Sequence, residues 1–153
     1  MFQIDEDDTL LLICRAGEVA SADLVVYNAA HDEFLRHNSI QLPFEPVAAI
    51  PFSFQPLSDR AEGCFAAVAG ISTQIEIYDL NMMDLINPNF ILAQSRFMGE
   101  TEIPAKEAHT GAIITLAWAK FSPNILASSG EDGLIKFWDL SQLQYLTELK
   151  IHD

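Results

Sequence analysis

An all-β chain made of about three small, four-stranded antiparallel sheets is the architecture that this sequence predicts. Three observations carry the expectation. Short apolar runs, rich in β-branched residues and each bounded by turn chemistry, recur along the 153 residues. One frame repeats: Ile135, Phe137, Trp138, Asp139 and Leu140 superpose on Ile75, Ile77, Tyr78, Asp79 and Leu80, and Leu24, Val26, Tyr27 and Asn28 fit the same pattern. Near the end, Asp132-Gly133 stands between two such runs, and the glycine supplies the positive φ that a tight hairpin needs.

Taken in order, residues 1–8 hold the run Asp5-Glu6-Asp7-Asp8 and read as a solvated acidic tail ahead of a folded unit at 9–153. Residues 9–14 form a nearly continuous apolar strand bounded by Arg15-Ala16-Gly17-Glu18, and residues 22–27 a second. Residues 34–42 alternate enough for a third, which Pro43 ends because it has no N–H to donate. Residues 47–54 make a fourth, and 55–63 (QPLSDRAEG) is loop by composition. The pattern then recurs, with strands at 65–69 and 74–80 around the turn Gly70-Ile71-Ser72-Thr73. Residues 94–108 read as a polar loop insertion with Gly99 and Pro104.

The last repeat is the sharpest. Residues 112–118 form a strand, and Lys120-Phe121-Ser122-Pro123-Asn124 breaks it with turn chemistry. Residues 125–129 and 134–138 pair across Glu131-Asp132-Gly133, and 145–151 (YLTELKI) completes the sheet. Along the third of these strands Ile135 and Phe137 point one way, Lys136 and Trp138 the other.

The whole stretch 109–140, HTGAIITLAWAKFSPNILASSGEDGLIKFWDL, resembles a WD repeat, the unit of a β-propeller, and closes on Trp138-Asp139. The resemblance implies a hydrogen-bonded tetrad of His109, Ser128, Asp132 and Trp138, with Ala108 standing where the family usually places Gly. The chemistry suits these types. Trp only donates, Ser relays, His carries one donor and one acceptor, and ionised Asp only accepts. Ser, His and Asp also invite a hydrolase triad, but this order sits within one repeat and no Gly-x-Ser-x-Gly elbow surrounds Ser128. Burial of Ser128 separates the two readings, since a nucleophile must reach its substrate. In the upstream repeats Val68 holds the Ser position and Ser72 the Asp position, so those blades are expected to hold by apolar packing alone. The anchors Tyr27, Tyr78 and Trp138 lie further apart than the roughly 40–45 residues of a plain repeat, which implies loop insertions. About three blades are counted, whereas closed propellers have typically 4–8. A partial propeller is therefore expected, completed by further blades in cis or in trans.

Composition narrows function. With 22 acids against 8 bases the formal net charge is −14. Phosphate binding rests on Lys and Arg, so direct nucleic-acid binding is not expected and basic protein partners are. No apolar run reaches a membrane span and no secretory signal opens the chain, so a soluble protein of cytosol or nucleus is expected. His31, His37 and His152 have no Cys at metal spacing, Cys14 and Cys64 read as buried free thiols, and glycine-rich phosphate loops are absent. Neither a metal nor a cofactor is expected.

Across nearly its whole length the chain also resembles the N-terminal blades of the periodic tryptophan protein 1 family. The stretch Ile75-Glu76-Ile77-Tyr78-Asp79-Leu80, followed by Met83-Asp84-Leu85 and Asn87-Pro88, carries this likeness, because generic WD repeats do not share it. It implies a non-enzymatic scaffold of the nucleus and nucleolus in ribosome biogenesis and rRNA processing. Chromatin or histone binding, or a propeller fragment without function, are the alternatives. In WD propellers the turn between the second and third strands and the loop into the next blade share one rim. Residues 71–73, 94–108 and 131–133 are then expected on one surface, where Glu100, Glu102, Glu107 and Glu131 suit a ribosomal protein or a histone tail.

Overall fold

The computed structural model describes residues 9–60, 62–82 and 85–150. The acidic tail at 1–8, an expected outer edge at residues 2–4, the Met83-Asp84 pair and the strand end at Ile151 lie outside the described residues.

Three antiparallel sheets follow one another along the chain. The first contains β1 (Thr9–Arg15), β2 (Ser21–Asn28) and β3 (Glu33–Gln41) in that order. The second contains β4 (Pro46–Phe52), β5 (Phe65–Gly70), β6 (Ile75–Asp79) and β7 (Phe90–Leu92). A two-stranded hairpin, β8 (Arg96–Met98) and β9 (Thr101–Ile103), precedes the third sheet of β10 (Ile113–Trp118), β11 (Ile125–Gly130), β12 (Leu134–Asp139) and β13 (Gln144–Lys150). Among the described residues the first sheet thus has three strands. The run at 47–54 opens the second sheet: Leu42 makes the last rung, from its N–H to the Ala20 carbonyl, before Pro43 turns the chain away.

The insertion at 94–108 is not all loop. Arg96 pairs with Ile103, Phe97 with Glu102 and Met98 with Thr101 around Gly99, whose φ of 66° closes the turn. Its strands are three residues long, too short for their alternation to stand out from the polar composition around them.

Each aromatic anchor sits opposite a fixed partner: Tyr27 opposite Thr9, Tyr78 opposite Ala66 and Trp138 opposite Leu126. The residues that follow repeat as well. Leu80 N–H donates to the Cys64 carbonyl and Leu140 N–H to the Asn124 carbonyl, tying the end of one strand to the start of its neighbour in both sheets.

The middle sheet is buried on both faces because alternate residues fill two different junctions. Ile75, Ile77, Phe52 and Phe65 pack with Ile113, Leu126, Trp138 and Leu140 of the third sheet. Ala66, Val68, Tyr78 and Leu80 pack with Leu24 and Ile40 of the first. Each fully buried aliphatic or aromatic side chain contributes about 1.5–3 kcal/mol. These two cores hold the sheets in an arc.

Apolar packing is not the only tie in the upstream blades, contrary to the sequence-based expectation. Tyr78 donates its hydroxyl to the buried Glu76 carboxyl, and in the first sheet Asp23 accepts from Ser39 and pairs with Arg15 at 3.1 Å. A carboxylate taken out of water without such partners would cost several kcal/mol. The polar residues that replace the tetrad do not align with it, which is why a position-by-position match passed over them.

Candidate functional site

The structure brings His109, Ser128, Asp132 and Trp138 into one hydrogen-bonded chain on the face of the third sheet that meets the second. Strand alternation puts Ser128 on the same side of β11 as Leu126; Leu126 pairs with Trp138 and Ser128 with Lys136, one step along the same face of β12. Trp138 Nε1 donates to Ser128 Oγ at 2.9 Å. His109 Nε2 lies 2.9 Å from the same hydroxyl, and its Nδ1 lies 2.9 and 3.0 Å from the two Asp132 oxygens. Trp can only donate and the carboxylate only accepts, so the polarity is determined from both ends: the Ser128 hydroxyl donates to Nε2, and the Nδ1 proton goes to Asp132. Ser128 and His109 are each 1% exposed.

Asp132 does more than end the chain. It also accepts from the Thr110 and Leu134 backbone amides at 3.1 and 3.2 Å, so one carboxylate fastens both the entry to β10 and the β11–β12 turn. Burial by itself would raise its pKa, but these amides and the His109 ring outweigh it and hold the carboxyl below the usual aspartate range. Gly133, with φ of 74°, completes the turn.

Sequence reasoning passed over Gly130. A Cβ there would sit 2.7 Å from His109 Nδ1 and 3.1 Å from both the Ala112 carbonyl and Asp132 Oδ1. The imidazole reaches Asp132 only because that space is empty. The visible signal was Ser128-Ser129-Gly130, a glycine ending an otherwise ordinary strand.

The four glutamates of the expected partner rim are all exposed, on three segments of the chain. Glu100 and Glu102 lie on the β8–β9 hairpin. Glu107 lies just ahead of His109, and its carbonyl accepts from the buried Lys136 ammonium at 3.1 Å. Glu131 lies in the β11–β12 turn and accepts from the Ala112 amide. Lys136 is itself paired with Glu148 at 3.0 Å and lies over the Tyr145 ring. Cys14 and Cys64, expected to be buried, are half-buried free thiols whose pKa values are raised by burial and then by Asp23 and Asp79 respectively. Among the described residues no group of three or more His, Cys, Asp and Glu is placed to hold a metal ion.

No protein-family model matches the chain. It is 28% identical over 150 residues to an uncharacterized WD repeat-containing protein of Schizosaccharomyces pombe, covering 91% of this chain and 28% of that protein. It is 25% identical to the periodic tryptophan protein 1 homolog of Drosophila melanogaster (92% of this chain, 30% of that one) and 26% identical to periodic tryptophan protein 1 of Saccharomyces cerevisiae (69% and 20%). The chain therefore spans less than a third of the length of these relatives. Among solved structures, the WD40 β-propeller domain of Doa1 superposes with a TM-score of 0.64 at 15% identity, covering 99% of this chain and 40% of that one. A chain of a Chaetomium thermophilum Polycomb Repressive Complex 2 structure superposes with a TM-score of 0.57 at 16% identity, covering 86% and 27%. Both likenesses speak for the fold alone. With the repeated sheets, the two junction cores and the Trp138-Asp139 ending already in place, the chain is a WD-repeat protein, an arc of β-propeller blades that resembles periodic tryptophan protein 1.

Proposed function

We propose that the chain acts as a non-enzymatic interaction scaffold in ribosome biogenesis and rRNA processing, in the nucleus and chiefly the nucleolus. The observation that carries this reading is the resemblance to the periodic tryptophan protein 1 sequences of fly and yeast over 92% and 69% of the chain. Ser128 supports the non-enzymatic part. Its oxygen is committed to Trp138 and His109 at 1% exposure, so it has no path to a substrate. The tetrad serves in this reading to fasten the third blade, and further blades complete the propeller in cis or in trans.

The acidic surface indicates the partner's charge. Glu100, Glu102, Glu107 and Glu131 are exposed on a chain of net charge −14, which favours a basic protein such as a ribosomal protein. Affinity purification of the tagged chain from nuclear extract, read by mass spectrometry, tests the proposal. Preribosomal proteins are expected, in amounts that fall as salt rises. Recovery of histones alone would transfer the role to chromatin, and recovery of neither would end both readings.

A further inference from the structure

The insertion between the second and third sheets folds back on the third and leaves a crevice of about 480 Å³. Ile91, Ala93, Ile103 and Leu143 give its apolar lining, and Arg96, Lys106 and Glu107 its charged lining. A second cavity of about 320 Å³, along Trp138 and Tyr145, adjoins it and shares Ala93, Glu107 and Leu143. The hairpin register extends the surface. Arg96 pairs with Ile103 and Met98 with Thr101, so these four side chains leave one face of the hairpin, and Met98, 72% exposed, prolongs the apolar wall outward.

The charges are the unusual part. The chain has only 8 Lys and Arg residues, and two of them meet in this crevice. Where Arg15 and Lys136 are matched to Asp23 and Glu148, neither the Arg96 nor the Lys106 side chain has an ion pair or hydrogen bond among the described residues. Two cations unmatched among the described residues, against the single Glu107 carboxylate in the same lining, leave the crevice one net positive charge on an otherwise acidic molecule. Strained backbone also lines it, since Ala93 (φ 57°) and Leu143 (φ 54°) are two of the four non-glycine residues at positive φ among the described residues.

We propose that this crevice receives an extended segment of a protein partner in which a carboxylate side chain stands beside a bulky apolar one. Arg96 and Lys106 take the carboxylate, the guanidinium offering a planar fork to its two oxygens. Ile91, Ile103 and Leu143 take the apolar side chain. Glu107 at the crevice, with Glu100 and Glu102 on the hairpin beyond it, disfavours a dianionic phosphate and favours basic residues flanking the anchor. The proposal goes beyond the scaffold role and holds whichever complex the chain serves.

Panning a phage-displayed library of random twelve-residue peptides against the folded 153-residue chain tests it, with the selected sequences remade as labelled synthetic peptides and measured by fluorescence anisotropy. Asp or Glu next to Leu, Ile, Met or Phe is the expected consensus. Arg96→Glu combined with Lys106→Glu should weaken binding at least tenfold and Ile103→Asp by a similar factor, whereas Lys120→Glu, on the β10–β11 turn, should not. Because Arg96 and Lys106 are exposed and have no partner among the described residues, the thermal melt of the double variant should match that of the parent chain. The proposal is overturned if no peptide is enriched, if the selected peptides lack an acidic residue, if the double variant binds as well as the parent, or if only a phosphoserine version of the peptide binds. Selection of purely basic peptides would also overturn it while leaving the acidic-surface reading intact.

Discussion

Trp138 combines two contributions in one side chain: a nearly fully buried indole, and the single donor that starts the hydrogen-bonded chain through Ser128 and His109 to Asp132. Trp138→Phe keeps most of the apolar contact but leaves the Ser128 oxygen one donor short at a site closed to water. A loss of about 1–3 kcal/mol in urea unfolding is expected, and an unchanged midpoint would show that the chain of hydrogen bonds contributes nothing net. Glu76 behaves oppositely to Asp132 with pH. Burial raises the Glu76 pKa, and the bond from Tyr78 only partly lowers it. A carboxyl whose folded pKa is raised contributes its stability below the unfolded value and loses it as pH rises through the folded value. Glu76→Gln, which can still accept from Tyr78, should therefore raise the melting temperature at pH 7 and converge with the parent below about pH 4. For Asp132 the folded pKa is depressed, so its contribution is present above the ordinary aspartate range and is lost as pH falls through the lowered value.

At the scale of the element, strands of similar length differ in what supports them. β5 and β6 are covered on both faces, and β11 and β12 carry the tetrad between paired neighbours on each side. The β8–β9 hairpin forms a two-stranded sheet of its own, with Phe97 and Met98 each 72% exposed. Two strands without a buried face are marginal in water. Amide hydrogen exchange should accordingly be fast throughout β8 and β9 and slowest in β5, β6 and β11, with protection spanning several kcal/mol between them. Equal protection of the hairpin and the sheets would mean that a contact absent from this arrangement covers Phe97 and Met98.

The arc as a whole ends in uncovered apolar surface at both sides. On the third sheet the face away from Trp138 carries the half-buried Ile135 and Phe137 and the exposed Leu149, with Ile135 directly opposite Leu149. On the first sheet Leu11 and Ile13 are exposed. Blades packed within the arc bury such residues, as the two junction cores show. The isolated 153-residue chain should therefore self-associate in sedimentation velocity runs as its concentration rises, and the association should persist in salt because it is apolar. A sharp monomer at high concentration would contradict the expectation that these faces take neighbours.

Much of this was available in the sequence, because strands and tight turns are local. Apolar runs with turn residues between them placed ten strands to within a residue or two, and Asp132-Gly133 marked the turn that joins β11 to β12. The positions of His109, Ser128, Asp132 and Trp138 could be named because one repeat carries them in a known spacing, and the structure places all four in contact. What the sequence could not show is anything decided across a junction. Glu76 and Tyr78 look like an ordinary alternating strand until a second sheet covers them and makes the pair obligatory. Gly130 becomes essential only when the His109 ring arrives from another segment to occupy the space a Cβ would fill. Likewise Arg96 and Lys106 can be read from the sequence as two bases of one insertion, but that they line a crevice together with Leu143 depends on how the insertion folds. Local chemistry chooses the strand; which residues share a surface depends on how the sheets stack, and that information is spread over the whole chain.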